Sequence, residues 1–274
     1  MNIPKLFFLI FFTLSGNLLF GQEILKKHSL KLSSGLSQLS RQDLIFSPFI
    51  HKEITFMNVG IEYTKEAALF HKVGLRYANF TPSVASGFVF YEDGEEKISE
   101  PHYLTFISLD YLIGKKIISG KARLTVGAIL MADIQALNYV YGRFSNFGYY
   151  ASSAVGAFGK YDYAISDKST LTITMKFPVV SWYARSPYLV NDDEFIENIS
   201  SHSSLKTFMS FLGDGDLVSW NNLQYFDIEA DYTFDLSERW GIGAAYLFEF
   251  IHTSTPRTLL SFRNSVNLSV YYKF

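Results

Sequence analysis

The 274 residues hold 26 Phe, 18 Tyr and 3 Trp, and 48% of the chain is hydrophobic against 18% charged, a composition that excludes intrinsic disorder. Lysine and arginine number 24 against 26 aspartate and glutamate; the net charge of −2 gives no broad attraction for nucleic acid or an anionic surface. Cysteine is absent, which removes disulfides, thiolate metal sites, cysteine nucleophiles and lipoprotein acylation.

The chain begins with an address. Lys5 precedes the apolar run Leu6 to Leu14, and Ser15, Gly16 and Asn17 interrupt it before Leu18, Leu19, Phe20 and Gly21. A run of about nine residues falls well short of the roughly 20 a spanning helix needs. Residues 1–21 are expected to be a signal peptide cleaved after the small Gly21, leaving residues 22–274 as one barrel domain that starts at Gln22. No later stretch is apolar for 18 residues, so an exported chain of this kind is soluble or crosses the membrane as strands.

From residue 28 onward the hydrophobic period is two. Strands are expected near 28–38, 53–64, 68–80, 102–114, 122–137, 150–165, 170–184, 223–236, 240–252 and from Ser261 to Phe274, about ten in all. The last is the clearest: Phe262, Val266, Leu268, Val270, Tyr272 and Phe274 share one parity, broken only by Asn264, while Ser261, Arg263, Ser265, Asn267, Ser269 and Lys273 share the other. Alternation alone does not separate a membrane barrel from a soluble sandwich, but connections do. Short turns at 65–66, 166–169 and 237–239, with 115–121 slightly longer, alternate with long segments at 39–52, 81–101, 138–149 and 185–221, although the last connection, around Thr255–Thr258, is brief; the pattern is that of an up-and-down barrel with periplasmic turns and extracellular loops. Strands leading to the short turns end in aromatics suited to a membrane interface: Tyr63, Tyr111, Tyr163, Tyr232 with Phe234, and Tyr272 with Phe274, joined by Trp240. Trp182 and Trp220 read as anchors at the opposite interface.

The fold class is therefore all-β, a transmembrane antiparallel up-and-down β-barrel of about 10 strands. The terminal SVNLSVYYKF, ending in Phe274, resembles the C-terminal signal of Gram-negative outer-membrane β-barrel proteins. The resemblance implies an outer-membrane location, membrane lipids as surroundings and the barrel-assembly machinery as a partner in biogenesis. The start at Gln22 is similar to exported proteins of the Bacteroidota.

On this alternation the inward cations are Lys31, Lys72, Arg76, Arg123, Lys160, Lys176, Arg263 and Lys273, and the inward acids are Glu62, Asp110, Asp133, Asp162, Asp227, Glu229, Asp231 and Glu249. A ten-stranded lumen is little wider than side chains fill, so mutual neutralisation is expected in place of an open pore. A narrow conduit in which Asp227, Glu229 and Asp231 select cations is the alternative.

The long 185–221 segment holds the other candidates. His202, Ser204 and Asn221, in the order His-x-Ser followed by SWN, resemble outer-membrane phospholipase A, which implies a histidine base, a serine nucleophile and an orienting asparagine. The sequence departs from that family: Leu205 and Lys206 stand where it has Asn-Gly, its barrel has twelve strands, and its serine-to-asparagine gap is shorter. Omptin-type proteases also use ten strands, but their paired acids and D-x-H element have no counterpart. Asp192, Asp193 and Glu194 carry calcium-type oxygens at a spacing that matches no defined loop and read as a solvated acidic segment. His28, His51, His71, His102 and His252 are scattered without metal-ligand spacing, and no cofactor is implied. The stretch from Glu92 to Lys97 reads as a hydrophilic hairpin tip. Three readings follow in order: a non-enzymatic barrel displaying extracellular loops for structural, adhesive or ligand-binding work; a lipid hydrolase; and a narrow channel.

Overall fold

A computed structural model describes residues 28–81, 89–98, 102–119, 122–141, 144–186, 213 and 215–274. The expected signal peptide, His202, Ser204, Asp192, Asp193 and Glu194 lie outside the described residues. The strands are β1 (His28–Asp43), β2 (Ser47–Glu66), β3 (Phe70–Phe80), β4 (Val89–Glu92), β5 (Glu95–Ile98), β6 (Tyr103–Ser119), β7 (Ala122–Tyr141), β8 (Phe144–Ser166), β9 (Ser169–Arg185), β10 (Asp216–Ser219), β11 (Leu223–Asp235), β12 (Trp240–Thr253) and β13 (Leu259–Lys273).

Ten of these close into an antiparallel barrel, the fold class expected from the alternation. The order runs β1-β2-β3-β6-β7-β8-β9-β11-β12-β13, and the ring is closed by β13 on β1, from Ser29 opposite Lys273 to Asp43 opposite Leu259. The ends of the described chain are tied at the same rim, where the His28 N–H donates to the Phe274 carbonyl at 3.2 Å and the Phe274 N–H returns a bond at 2.9 Å. β10 and β11 form one strand broken at Trp220–Asn222, since both pair with β9. β4 and β5 form the expected hairpin, its turn made by Asp93 and Gly94 at φ 55° and 83°, the left-handed region that aspartate tolerates and glycine favours.

Side chains alternate between two environments. Outward residues are large, apolar and exposed all around the ring: Leu32, Ile61, Leu75, Leu109, Leu130, Val155, Met175, Ile242 and Leu268. So continuous an apolar surface matches hydrocarbon rather than water. Its lower border is the expected aromatic belt. Trp240 and Tyr272 pack at 4.8 Å between ring centroids and Tyr272 and Phe274 at 5.9 Å, while Tyr163 and Tyr232 stand exposed beside them in the ring. Two histidines belong to the same belt: His28 Nδ1 lies 2.5 Å from the Tyr63 hydroxyl, and His71 Nδ1 2.8 Å from that of Tyr111. Asn264, the one polar break on the outer face of β13, accepts a bond from the Tyr246 hydroxyl at 2.6 Å.

Two expected loops are corrected. Segment 39–52 is strand except for the turn Leu44–Phe46, and 138–141 and 144–149 are strand. Strands of 20 and 23 residues in β7 and β8 exceed the roughly 9–11 that cross a bilayer, so the wall continues beyond the lipid at the end opposite the belt. The length asymmetry between the two ends therefore rests on 81–102 and 186–222 alone. Within the second, residues 216–219 are strand rather than loop. Trp182 also departs from its expected role, because it packs half-buried against Tyr149 and Ala184, whereas Trp220 is exposed near Phe177.

Leu268 is 70% exposed on the outer face, about five residues above the belt. Replacing it with arginine is expected to lower folding stability in lipid vesicles by about 2–4 kcal/mol, read by urea titration, against little change for Ser265→Thr on the inner face.

Candidate functional site: the charged lumen

The inner face holds two tiers of ion pairs built by register. In the upper tier, antiparallel pairing sets Lys176 of β9 opposite Asp227 of β11, Asp227 opposite Glu249 of β12, and Glu249 opposite Arg263 of β13. Like charges facing each other across a ladder repel. Arg76, reaching from β3 on the far wall, answers this with Nη2 3.3 Å from Asp227 and Nη1 3.4 Å from Glu249. Lys176 lies 2.7 Å from Asp110 of β6 and 3.8 Å from Asp227, and Arg263 grips Glu249 with two nitrogens. Asp133 accepts from Gln135 at 2.9 Å and from Ser108 at 3.3 Å. The lower tier joins Lys31 to Asp231, Glu62 and Glu229, and Lys72 to Glu62 at 3.0 Å and Glu229 at 3.5 Å. Most of the inward charges named from sequence therefore meet in these two tiers, with Asp133 beside the upper one, and the upper tier crosses the lumen from β3 and β6 to β9, β11 and β12.

Nearer the short turns, Arg123 bridges Asp162 at 3.0 Å and Glu66 at 3.2 Å, Lys116 joins Glu66 at 2.6 Å, and Lys160 holds Asp162 at 2.5 Å. Lys273 meets Asp235 at 2.7 Å. These groups surround a cavity of about 340 Å³ whose lining runs from the turn residue Lys168 and the strand ends His28 and Lys273 up to the lower tier. Above the tiers the interior closes. A void of about 10 Å³, room for about one water, lies among Asp133, Gln135, Glu249 and Arg263.

The lumen is not polar throughout. Phe70, Leu112, Ile129, Met131, Phe158, Tyr183 and Tyr225 form one buried cluster inside the barrel, and Leu39, Phe46, Phe80, Leu104, Phe106 and Leu137 a second beneath the far rim. Phe46, from the β1–β2 turn, folds inward so closely that its ring occupies the space a Cβ at Gly148 would take, 2.1 Å away.

A third polar group was not legible in the sequence. Arg41 and Asp43, each 0% exposed, pair at 2.9 Å, and Asp43 also binds Arg185. Arg41 donates to Gln135 at 2.6 Å, and Arg185 donates to the Arg257 carbonyl at 2.6 Å, tying β1, β7, β9 and the β12–β13 connection together. Arg41 and Asp43 fell in an expected loop. The signal that finds them is their parity: they continue the inward series Lys31, Ser33, Ser37, Leu39.

The remaining candidates have ordinary surroundings. Asn221 sits in an exposed turn and accepts from the Ser219 hydroxyl at 2.5 Å. His252 donates to Gln224 at 2.8 Å, and the buried His51 and His102 lie with ring centroids 5.3 Å apart. Among the described residues no three histidine or acidic side chains converge as metal ligands.

No protein-family model matches the chain, and no curated protein matches its sequence. Among solved structures it is similar to the outer membrane protease OmpT from Escherichia coli, at 7% identity and a TM-score of 0.59, over 95% of this chain and 100% of that one. It is also similar to the translocator domain of the autotransporter NalP from Neisseria meningitidis, at 9% identity and a TM-score of 0.43, over 99% and 96% of the two chains. The first match establishes the outer-membrane barrel fold and nothing finer.

Among the described residues Arg76 alone bridges Asp227 and Glu249. Arg76→Met is expected to destabilise the barrel by about 3–5 kcal/mol, because two buried acids lose a shared partner. Adding Asp227→Asn should recover part of that loss, and a denaturation midpoint unchanged by Arg76→Met would refute the bridging role.

Proposed function

We propose that this protein resides in the outer membrane of a Gram-negative bacterium, with the short turns toward the periplasm, as a non-enzymatic scaffold that presents its far-rim segments outside the cell. The barrel fold, the apolar outer face and the aromatic belt support the location. The observation that carries the functional reading is the barred lumen. Lys176, Asp110, Asp227, Arg76, Glu249 and Arg263 span it in contact, buried, and the second apolar cluster, with Leu223, Tyr225, Ile251 and Leu259 of the first, stands between them and the far rim. An ion crossing this section would have to break several desolvated pairs together, each separation costing several kcal/mol. A narrow conduit needs binding weak enough to release its ion, and interlocked guanidinium and carboxylate groups do not offer that. What remains for function is what the barrel carries at its far rim: the hairpin of β4 and β5, the residues between β9 and β10, and the β12–β13 connection.

Two measurements on one preparation test this. The mature protein, expected to begin at Gln22 by mass spectrometry of outer-membrane fractions, should migrate heat-modifiably and stay silent in planar bilayers. Discrete current steps that change on Asp227→Asn or Glu229→Gln would replace the scaffold with a channel. Phospholipid hydrolysis by the wild type that disappears with Ser204→Ala in a folded barrel would replace it with an enzyme.

A further inference from the structure

The cavity at the short-turn end has no part in sealing the barrel. Its volume of about 340 Å³ falls within the roughly 300–1,000 Å³ of small-molecule sites. Six cations and six carboxylates line it, together with five threonines, while Phe70 and Tyr271 are its aromatic contributions. Such a lining does not suit an apolar ligand, which would strand a dozen charges. Nor does it suit a polyanion or a polycation, since either would meet six like charges. It suits a molecule that is itself amphoteric.

The charges are also sorted by depth. At the inner end Lys31 and Lys72 face Glu62, Glu229 and Asp231, one acid in excess, and Asp231 Oδ1 is buried without a hydrogen-bond partner although Oδ2 is held by Lys31. At the mouth the balance reverses: Arg123, Lys160, Lys168 and Lys273 face Glu66, Asp162 and Asp235. Lys168 makes no ion pair among the described residues, and its carbonyl accepts from the Asp235 N–H at 2.8 Å, which sets it at the level of the Lys273–Asp235 pair. Asp231 and Asp235 are four residues apart on one strand, about 13 Å at 3.3 Å per residue. An extended tripeptide spans about 10 Å.

We propose that this vestibule binds a short zwitterionic peptide of about three residues, with its ammonium group on Asp231 at the inner end and its carboxylate between Lys168 and Lys273 at the mouth. Thr170, Thr172, Thr174 and Thr233 supply hydroxyls that donate to or accept from the peptide groups along the way. Both ends of such a ligand then find the opposite charge. The proposal goes beyond the scaffold reading and is independent of it, because the site lies on the short-turn side of the ionic barrier.

Calorimetric titration of the full-length mature barrel in detergent, checked for folding by heat-modifiable migration, uses trialanine as the probe. N-acetyl-trialanine lacks the ammonium group and trialanine amide lacks the carboxylate. Trialanine is expected to bind, and each blocked form about tenfold or more weakly. Asp231→Asn should erase the preference for a free amine while keeping that for a free carboxylate, and Lys168→Gln should weaken the carboxylate preference alone. Lys168 is an exposed turn residue, so that variant tests the mouth even if Asp231→Asn fails to fold. A flat titration to about 10 mM, or equal affinity for all three peptides in the wild type, overturns the proposal and leaves the scaffold reading intact.

Discussion

Backbone hydrogen bonding in hydrocarbon governs this structure. An N–H or C=O left open in the bilayer core costs several kcal/mol, so a sheet that crosses must have no edge. The pairing of β13 with β1 removes the edge, and nearly everything else follows from the resulting ring. Each strand is obliged to alternate between lipid and lumen. Among the described residues the barrel strands hold two prolines: Pro48 is the second residue of β2, and Pro178 sits where the ladder between β8 and β9 slips, opposite Gly156, a position that tolerates the missing donor. Even the ends of the described chain comply, with His28 and Phe274 exchanging backbone bonds at the rim.

Ten strands enclose a space too wide to be left empty and too narrow for charges to be hydrated singly. The interior resolves this by dividing the work. Aromatic and aliphatic side chains from β3 and β6–β9 fill much of the section, while the acids of β11 and β12 meet cations from β1, β3, β9 and β13. Buried ion pairs add little net stability over well-packed apolar residues. They do penalise a wrong register heavily. A slip of one residue in β11 would turn Asp227, Glu229 and Asp231 into lipid and bring Phe226 and Ile228 against Lys176 and Arg76. The rows of opposite charge thus fix how adjacent strands align, where outward Leu, Ile and Val residues would slide past each other with little difference in energy.

What the sequence discloses depends on how different the two faces of a strand are. In β11 and β13 one face is charged or hydroxylated and the other apolar, so Asp227, Glu229, Asp231 and Arg263 declare their direction from parity alone. In β6 and β7, Leu104, Phe106, Leu112, Ile129 and Met131 point inward while Leu109, Leu124 and Leu130 point outward. Both faces there are apolar, and the pattern gives a strand without saying which side fills the lumen. Beyond the membrane the alternation in hydropathy fades, because the outward side no longer meets lipid; Ser40 and Gln42 flank Arg41, and the segment resembles a loop. The buried Arg41, Asp43 and Arg185 group was invisible for that reason: parity runs unbroken through Arg41 and Asp43, while the slip beside Pro178 reverses it before Arg185. Partner choice was the other hidden feature. Sequence balances eight cations against eight acids, but only the closed ring puts Arg76 across from β11 and β12.

The two ends of the barrel are consequently unlike in what they can exchange with their surroundings. At the far rim, Phe46 is folded down onto Leu39, Phe80 and Leu104, and Arg185 fastens the β12–β13 connection to the wall, so the interior there is dry and fixed. At the short-turn rim the lumen is wet, polar and open as deep as Asp231. An ionic barrier between them separates the closed far end from the polar recess at the short turns. Signals between the two would have to travel through the tiers themselves, whose members are bound on both flanks: Lys31 and Lys72 reach the recess, and Arg76, two inward positions above Lys72 on the same strand, grips the upper acids. Two strands therefore join the recess to the section above the barrier: β3, through Lys72 and Arg76, and β11, through Asp231, Glu229 and Asp227.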